Sequence, residues 1–511
     1  MSSTPLAPPG TSTGEGASTG ASTGDGPARV PSARRHPGAV LAPGRLLFLL
    51  LAGQFMALLD ASIVNVAAPT LRADLHASGA GLQLIIAGYT IAYAVLLITG
   101  SRLGDRLGYG RTFRLGLAVF TLASLGCGLA PSAGTLIAFR MVQGAGAALM
   151  VPQVISLIQR TFTGPARVRA LGAYTAVLAG GIVAGQVLGG VLVGSDVLGA
   201  VLPGSAWRPA FAVNVPIGIV LLLATRRGLP SGGGDVARRL DLPGLTALAA
   251  AVLLLVVPLV LGQEEHWPVR GWLMLGASAV TFAVFVAVQR GTARRGGHPL
   301  IHPELFAAPG LAAAATAVFL VMVGVGGIFL ALTLHLQAGL GHGPLASGLL
   351  LVPMAAGFGL GGLHWRRLPA AWHPALPAVA LLVAVLGYLV LGEAVASGRP
   401  VGAAVLAVTA VLGAAAGATY GPLMATALRG VQPWQAADAS GVIVTLVQLG
   451  QVVGLATLGS LFLGSVTGPG PQRTGHGLEL VSFAISGLSL VALLPCLLLL
   501  WRSGRRTAAV G

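Results

Sequence analysis

Long apolar runs are the feature of this 511-residue chain that most restricts its fold. They recur from residue 46 to residue 501, and each is about 18–25 residues long, which is enough for a helix to cross about 30 Å of hydrocarbon. The composition, 55% hydrophobic and 9% charged, leaves too few polar residues for two or three soluble domains. The runs lack the alternation that marks the strands of membrane barrels. The chain is therefore predicted to be an all-α polytopic membrane protein.

The boundaries of these runs predict fourteen transmembrane helices. They are placed at residues 46–67, 79–99, 113–130, 135–159, 169–194, 209–224, 242–261, 271–289, 310–335, 345–363, 375–394, 401–424, 439–463 and 479–501. The connections between them are mostly short, so no soluble catalytic domain is expected.

Positive charge is distributed unevenly between the two sides of this predicted topology. All 30 Lys+Arg residues are arginine, which indicates a GC-rich coding genome, and the formal net charge is +16. Such a charge would suggest nucleic-acid binding in a soluble protein, but here the arginines follow the positive-inside rule. With a cytoplasmic N-terminus, the loop arginines on the outer side are Arg72, Arg208, Arg270, Arg399 and Arg473. Both termini are therefore predicted to be cytoplasmic, and no nucleic-acid partner is expected.

Longer linkers divide the predicted helices into groups of six, two and six. The predicted organisation is a disordered cytoplasmic tail at 1–44, an N-terminal six-helix bundle at 45–225, a linker and central two-helix insert at 226–308, a C-terminal six-helix bundle at 309–501, and a cytoplasmic tail at 502–511. Transporters built from two related halves show such an arrangement, with the substrate site between the halves near the midplane of the membrane.

Two charged residues, Asp60 and Arg140, lie inside predicted spans, where charge is costly. Each is placed about 10 Å below the outer end of its helix, so both fit one cavity. Gln143, one turn from Arg140, extends a polar network on that helix face. One interpretation is a structural ion pair. The other is that Asp60 exchanges a proton or meets a cationic substrate while Arg140, which stays charged, sets the local potential.

The segment SRLGDRLGYGRTFR at 101–114 joins the second and third spans on the predicted cytoplasmic side. Its glycines allow a tight turn. An acid among arginines can form ion pairs in one conformation and break them in another. The candidate conformational latch therefore comprises Asp105, Arg106, Gly108 and Arg111. A basic loop that only sets topology would account for the arginines, but not for the acid and the glycines.

A glycine-rich stretch, GGIVAGQVLGGVLVG at 180–194, lies in the fifth span. Small residues recur there at every fourth position and form a smooth face for a neighbouring helix. The polar group of Gln186 faces either the cavity or a neighbouring helix. The predicted packing motif comprises Gly181, Gly185, Gln186, Gly189 and Gly190.

His335, at the outer end of the ninth span, is an additional candidate proton site, because histidine changes its charge near neutral pH. A hydrogen-bonded structural histidine is the alternative interpretation. Cys127 and Cys496 lie in apolar spans and are interpreted as packing residues. No metal or cofactor is expected.

These stretches together resemble the major facilitator superfamily, and specifically its fourteen-helix drug:H+ antiporter family. The family's helix 1 signature is similar to LDASIVNVAAPTL, its loop motif to SRLGDRLGYGR, and its helix 4 motif to FRMVQGAGAALMVP. Similar matches to helix 6, helices 7–8 and the central insert are AWRPAFAVNVPIG, LHLQAGLGHGPLASGLLLVP and LDLPG. The resemblance implies two six-helix bundles that rock around a central cavity. It also implies that Asp60 belongs to the proton or cation site, Arg140 to proton coupling, and Asp105 with Arg111 to the latch.

Some positions depart from the family's pattern. The loop motif has Ser101 where glycine is usual, and Tyr109 and Gly110 where consecutive basic residues are usual. The helix 5 motif has Gln186 where proline usually follows glycine. A weaker latch and a fifth helix without a proline kink are therefore expected.

The most favoured function is a proton-coupled exporter of amphipathic or cationic organic compounds such as drugs, dyes or antibiotics, in the inner (plasma) membrane of a bacterium. A dedicated exporter of a single endogenous secondary metabolite is the alternative. A membrane-embedded enzyme or a receptor is a remote alternative, since the spans contain no catalytic constellation and the loops no sensory domain. The expected partners are a small-molecule substrate, protons and the lipid bilayer. A monomer suffices, and the sequence leaves the oligomeric state open.

Overall fold

A computed structural model describes residues 41–194, 206–226, 228–229, 241–262, 265–297, 299–398, 400–429, 431, 436–466, 468 and 470–508. The α-helices are α1 Pro43–Asp74, α2 Gly79–Leu107, α3 Tyr109–Gly128, α4 Ala133–Thr161, α5 Gly164–Gly194, α6 Arg208–Ala212, α7 Asn214–Ala224, α8 Leu242–Leu261, α9 Val269–Arg294, α10 Leu311–Leu334, α11 Pro344–His364, α12 Leu376–Ala396, α13 Ala403–Arg429, α14 Ala436–Ser465 and α15 Pro471–Ala508. A π-helical turn, His335–Gly339, extends α10. Shorter 3-10 turns are Pro303–Ala307, Trp365–Arg367 and Ala370–Trp372.

The predicted all-α polytopic membrane fold is confirmed. Eleven of the described helices are long and apolar enough to cross a membrane, or twelve when α5, which bends by 41° between Leu178 and Val183, counts as one span. The shorter α3, and the short helical segment that α6 and α7 form from Arg208 to Ala224, lie where the third and sixth spans are predicted. The count of fourteen spans and the cytoplasmic placement of both termini stay predictions. The predicted tail at 1–44 falls almost entirely outside the described residues.

Local sequence signals account for several helix ends. The hydroxyl of Ser78 accepts a hydrogen bond from the Gly81 amide at 3.0 Å and caps α2. Ser132 and Thr135 form a capping box at the start of α4. Gly108, whose φ of +93° lies in the region that favours glycine, ends α2 and precedes α3. This sharp turn is what brings α2 and α3 together as neighbours.

Close helix packing in the N-terminal half positions the charged pair. α4 packs against both α2 and α3, and α1 packs against α5. A Cβ atom on Gly144 of α4 would overlap the Tyr89 carbonyl oxygen of α2. The missing side chain therefore lets the two backbones approach, and Arg140, one turn before Gly144, reaches the α2 backbone.

The C-terminal half is built in a similar way from α10 to α15. α11 packs against α13, α10 against α14, and α12 against α15. The central pair is formed by α8 and α9, which pack on each other, while α8 also contacts α2 and α14. α9 is the least buried of the helices long enough to cross a membrane. Only 17% of its apolar stretch is buried, so most of its surface is available to lipid.

The two halves contact each other through α5 with α11 and α2 with α14. Several of these contacts lie at the end of the bundle opposite the arginine-rich 101–114 loop. There Gln337 Nε2 donates to the Val66 carbonyl at 3.0 Å, and Gln83 Nε2 donates to Ser460 Oγ at 3.2 Å. This end of the interface between the halves is therefore closed.

Candidate functional site

The charged residues predicted from the sequence meet in one ion pair. Arg140 Nη1 of α4 lies 2.5 Å from Asp60 Oδ2 of α1. The exposed fractions are 1% for the arginine side chain and 0% for the aspartate side chain. Two charges buried in this way cost several kcal/mol each in desolvation, so they persist only with close pairing and further hydrogen bonds.

Amides supply these further hydrogen bonds. Asp60 Oδ1 accepts from Gln143 Nε2 at 2.8 Å and from Asn214 Nδ2 at 2.7 Å. Gln143 Oε1 accepts from Arg140 Nη1 at 2.6 Å, and Gln143 Nε2 also donates to Ser124 Oγ at 2.7 Å. All of these polar groups are buried. The carboxylate is thus held from α4 and α7, and the network extends through Gln143 to α3.

Arg140 has partners besides the carboxylate. Its Nε donates to the Ile85 carbonyl at 3.2 Å, and its guanidinium carbon lies 4.6 Å from the ring centroid of Tyr89 and 5.7 Å from that of Phe211. Aromatic faces attract a desolvated cation. The guanidinium therefore keeps a favourable environment even when Asp60 is not charged.

Sequence reasoning did not single out Asn214, Ser124 or Tyr89. The signal for Asn214 was present, because it is a strong hydrogen-bonding residue inside an apolar run within the AWRPAFAVNVPIG stretch. Ser124 carries no such signal, since a serine hydroxyl finds an acceptor in its own helix, and Tyr89 carries none, since an aromatic residue in an apolar run is an ordinary packing residue. Ser124 also donates to the Phe120 carbonyl at 2.8 Å.

At the arginine-rich end, Tyr109 lies between the acid and an arginine. Its hydroxyl donates to Asp105 Oδ1 in a short hydrogen bond, and Arg160 Nη2 donates to the same hydroxyl at 2.7 Å. The Arg160 guanidinium also lies 4.3 Å from the centroid of the tyrosine ring. Arg106 and Arg111, the predicted latch arginines, are exposed. Tyr109, which stands where a basic residue is usual in the family, therefore links Asp105 of α2 to Arg160 of α4.

The glycines of α5 allow close packing against two different helices. A Cβ atom on Gly181 would lie 2.9 Å from Leu58 Cβ, and Cβ atoms on Gly185 and Gly189 would likewise crowd α1. Gly190 faces the other half, where its Cβ would lie 2.6 Å from Leu345 Cα of α11. The helix is therefore packed between its own half and the opposite half.

Gln186, on the α5 side that faces α11, is 1% exposed, and its Oε1 has no hydrogen-bond partner among the described residues. The 41° bend of α5 falls between Leu178 and Val183, so this chain bends the helix near Gly180 and Gly181 without a proline.

His335 begins the π-helical turn after α10 and is completely buried. Its Nδ1 lies 2.9 Å from Thr474 Oγ1 of α15, and its Nε2 has no partner among the described residues. The ring lies in a second site, at the closed end of the bundle, that is separate from the Asp60 network. Across the described ranges, no group of three or more His, Cys, Asp or Glu side chains is placed to hold a metal ion.

Two helical halves that pack around buried charged groups are the architecture of a membrane transporter. The chain belongs to the Major Facilitator Superfamily, whose family model matches residues 50–455. It is therefore a secondary transporter of small molecules, not an enzyme.

Curated relatives narrow the class to proteins related to drug and antibiotic efflux pumps. The cephamycin export protein CmcT of Amycolatopsis lactamdurans is 36% identical over 89% of this chain and 93% of the relative. The probable actinorhodin transporter of Streptomyces coelicolor is 35% identical over 82% of this chain and 72% of the relative. The drug efflux pump JefA of Mycobacterium tuberculosis is 30% identical over 80% of this chain and 78% of the relative. The resemblance read from the sequence motifs is thereby confirmed, and such relatives indicate a bacterial membrane.

Solved structures agree on the fold. A bacterial homologue of the human lysosomal transporter Spinster, in an inward-facing and unoccupied conformation, superposes with a TM-score of 0.65 at 18% identity over 90% of this chain and 98% of that chain. A bacterial homologue of human drug peptide transporters gives a TM-score of 0.62 at 15% identity over 91% of this chain and all of that chain.

Proposed function

We propose that this protein is a proton-coupled exporter that moves amphipathic or cationic organic compounds, such as drugs, dyes or antibiotics, out of the cell by alternating access. The observation that carries the proposal is the completely buried Asp60 carboxylate paired with Arg140 in the interior of the N-terminal half. A charge at this depth is costly, and ionisable groups inside membrane bundles mark ion and substrate pathways. Relatives named as efflux or export proteins support the same direction of transport.

Coupling follows from competition for one carboxylate. A proton that arrives from the outer side bonds to an Asp60 oxygen and removes the negative charge that attracts a cation. Release of that proton to the cytoplasm restores the charge and the site for the next substrate. Arg140 cannot carry the proton, because guanidinium stays charged. Its role is to hold the carboxylate and set the local potential.

The closed end of the bundle supports an inward-facing state. Under the predicted topology, the contacts of Gln337 with Val66 and of Gln83 with Ser460 lie on the outer side. Export requires these contacts to break while the cytoplasmic side closes. The link from Asp105 through Tyr109 to Arg160, next to Gly108, is proposed to act there as the latch that differs between the two states.

A dedicated exporter of one endogenous secondary metabolite is the second candidate function. It is favoured by two relatives whose names specify single compounds, actinorhodin and cephamycin. The two functions differ in breadth, so a panel of unrelated dyes and drugs, tested for changed susceptibility in cells with and without the protein, separates them.

We predict that Asp60→Asn abolishes gradient-driven transport. Inside-out vesicles that contain the protein, with an acidic lumen, are expected to accumulate a fluorescent cationic dye, and the variant is expected to reach only the level of vesicles without the protein. The reason is that an amide neither carries the charge nor exchanges the proton. The matched control is Asp74→Asn, which removes an exposed carboxylate from the same helix. Accumulation by Asp60→Asn at the wild-type rate, with equal amounts inserted, would contradict the proposal.

His335 is proposed as an additional proton site. His335 Nδ1 and the Gly470 carbonyl oxygen both lie 2.9 Å from Thr474 Oγ1. In the tautomer in which Nδ1 donates to Thr474 and the hydroxyl donates to the carbonyl, Nε2 has a free lone pair. A proton that binds this lone pair places a charge at the closed interface next to Gln337, which favours its opening.

We predict that His335→Gln lowers gradient-driven dye uptake several-fold but leaves downhill dye exchange without a gradient unchanged. Glutamine can still hydrogen-bond to Thr474 but cannot take up a proton. Thr474→Val is the companion variant, since it removes the partner and keeps the imidazole. Equal gradient-driven uptake by vesicles with His335→Gln and vesicles with wild type would show that His335 is a structural residue.

A further inference from the structure

Asn214 lies next to the charged pair, in the short apolar helical segment that α6 and α7 form together. Val213, between α6 and α7, keeps helical dihedral angles (φ −59°, ψ −30°), so the segment from Arg208 to Ala224 runs on as one short helix. The Asn214 side chain is 0% exposed, and its Nδ2 donates to Asp60 Oδ1 at 2.7 Å. This helical segment therefore positions an amide directly on the proposed coupling carboxylate.

The N–H end of the Asn214 amide has a hydrogen-bond partner, whereas its oxygen has none among the described residues. Asn214 Oδ1 has no hydrogen-bond partner among the described residues, although it is buried. An unpaired buried acceptor is costly and needs a reason. Chemistry dictates the orientation, because an ionised carboxylate only accepts hydrogen bonds and the N–H end must face it.

A protonated Asp60 has a different requirement. Its new O–H group needs an acceptor. Gln143 does not provide one, because the end of its amide that faces Asp60 is the donor Nε2, which also donates to Ser124. Its acceptor Oε1 is taken by Arg140 Nη1 at 2.6 Å and by the weak donor Cys127 Sγ at 3.8 Å. Half a turn of the Asn214 amide about its Cβ–Cγ bond exchanges Nδ2 for Oδ1 and supplies the acceptor. Asp60 then has a hydrogen-bond partner at Asn214 in either protonation state. The unpaired end of the Asn214 amide is its oxygen when Asp60 is ionised and its N–H group when Asp60 is protonated.

The surroundings tolerate this reversal because Arg140 does not depend on Asp60 alone. Its contacts with Gln143 Oε1, the Ile85 carbonyl and the Tyr89 ring remain when the carboxyl group is neutral. The guanidinium therefore keeps its place, and the change is confined to the aspartate and the asparagine.

We infer that Asn214 is a positioning residue of the coupling site, whose amide reverses when Asp60 takes up a proton. This inference rests on the proposed function of Asp60. In the step, the proton bonds to Asp60 Oδ1, the N–H···O bond from Asn214 Nδ2 breaks, and an O–H···O bond to Asn214 Oδ1 forms. No other covalent bond changes, and the reverse step returns the proton to water.

Other ionisable groups near Asp60 are few. Arg140, Tyr89 and Cys127 interact with it electrostatically. Further along the helices packed on α1 lie Tyr93 of α2, Tyr174 of α5, Arg208 of α6 and His335 after α10. Arg208 donates to the carbonyls of Gly128 and Ala130. Of the three groups that interact with the carboxylate, Arg140 is paired with it directly, and its guanidinium does not give up a proton, so the proton of the proposed step goes to Asp60.

The chain itself provides a clean probe, because its only asparagines are Asn65 and Asn214. Protein with a ¹³C label in the side-chain carbonyl of asparagine is reconstituted in liposomes, and infrared difference spectra are recorded between acidic and neutral pH. We expect the labelled carbonyl band to move to lower frequency as the carboxylic acid band of Asp60 appears, since accepting a hydrogen bond weakens a C=O bond. The shift is expected to vanish in Asp60→Leu, which adds no labelled asparagine, and in Asn214→Leu. It is expected to persist in Asn65→Ala, which removes an amide that donates to the Ala61 carbonyl of its own helix.

The outcomes separate this inference from the proposed function. An Asp60 acid band that appears without any shift of the asparagine carbonyl overturns the role of Asn214 alone. The absence of an Asp60 acid band across the pH range in which the vesicles transport dye overturns both the coupling role of Asp60 and the inference. A shift that survives in Asn214→Leu belongs to Asn65 and also overturns the inference.

Transport provides a second readout. Asn214→Thr keeps a group that both donates and accepts, so its gradient-driven uptake is expected to stay within a few-fold of wild type. Asn214→Leu has neither ability and is expected to lose about ten-fold, as the loss of one buried hydrogen bond implies. Equal uptake by the two variants, at equal amounts of inserted protein, would contradict the inference.

Discussion

Replacing Arg140 with alanine is expected to destabilise the folded protein by about 3–5 kcal/mol, because Asp60 then remains as a buried charge without its counter-charge. Asp60→Asn is expected to cost less. Arg140 keeps the Gln143 oxygen, the Ile85 carbonyl and the Tyr89 ring in that variant. In Arg140→Ala, by contrast, the carboxylate keeps only neutral amide donors, from Gln143 and Asn214.

The measurement is the unfolding of purified protein in mild detergent by added denaturing detergent, followed by tryptophan fluorescence. The double variant Asp60→Asn, Arg140→Ala is expected to be more stable than Arg140→Ala alone, since no buried charge remains unpaired. Arg111→Ala, which removes an exposed arginine, is the matched control and is expected to change stability little. Simple additivity of the two single changes would show that the pair is not coupled.

Replacing Gly348 with valine is expected to trap the transporter with the Gln337 end of the bundle open and to abolish gradient-driven export. A Cβ atom on Gly348 of α11 would overlap the Gln186 carbonyl oxygen of α5, so the two halves cannot close at that point. Overpacking of this kind costs about 1–3 kcal/mol, which shifts the ratio of two conformations by about 5- to 150-fold. Each half can fold on its own packing, so the loss is expected in transport rather than in insertion.

Accessibility of a single engineered cysteine measures this shift. Val66→Cys lies at the closed contact with Gln337, and the two native cysteines are buried, so background labelling is low. A membrane-impermeant maleimide is expected to label Val66→Cys several-fold faster in the Gly348→Val background. The control is Gly343→Val at the start of the same helix, where a Cβ atom would have no neighbour within 4 Å. Unchanged labelling together with normal transport would show that α5 and α11 need not pack this closely.

The fold was predictable because each membrane helix satisfies its own backbone and carries its own signal. The seventh predicted span, 242–261, coincides with α8, and the long apolar runs of α1, α2 and α4 are equally clear. Where a span carries charge or is short, the signal is weaker. α3 begins next to arginines, and the helical segment formed by α6 and α7, from Arg208 to Ala224, is short, so neither is among the helices long and apolar enough to cross a membrane.

The candidate site was partly predictable for the same reason. Asp60 and Arg140 stand out because a charge inside an apolar run is costly wherever the helix is placed. Their direct contact was not predictable, since it depends on how closely α4 approaches α2 at Gly144 and on the rotation of each helix. Likewise, the α5 glycines indicated a packing face, but not that Gly185 faces α1 whereas Gly190 faces α11.

The sequence by itself determined the all-helical membrane class, the family and the residues whose burial would be costly. The tertiary structure alone decided that Asn214 and Gln143 share the Asp60 carboxylate, that Tyr109 joins Asp105 to Arg160, and that His335 lies in a second site. The physical reason is that hydropathy and charge are properties of single positions along the chain. A hydrogen bond between helices depends on the distance and rotation of two segments far apart in sequence, which only the packing of the whole bundle sets.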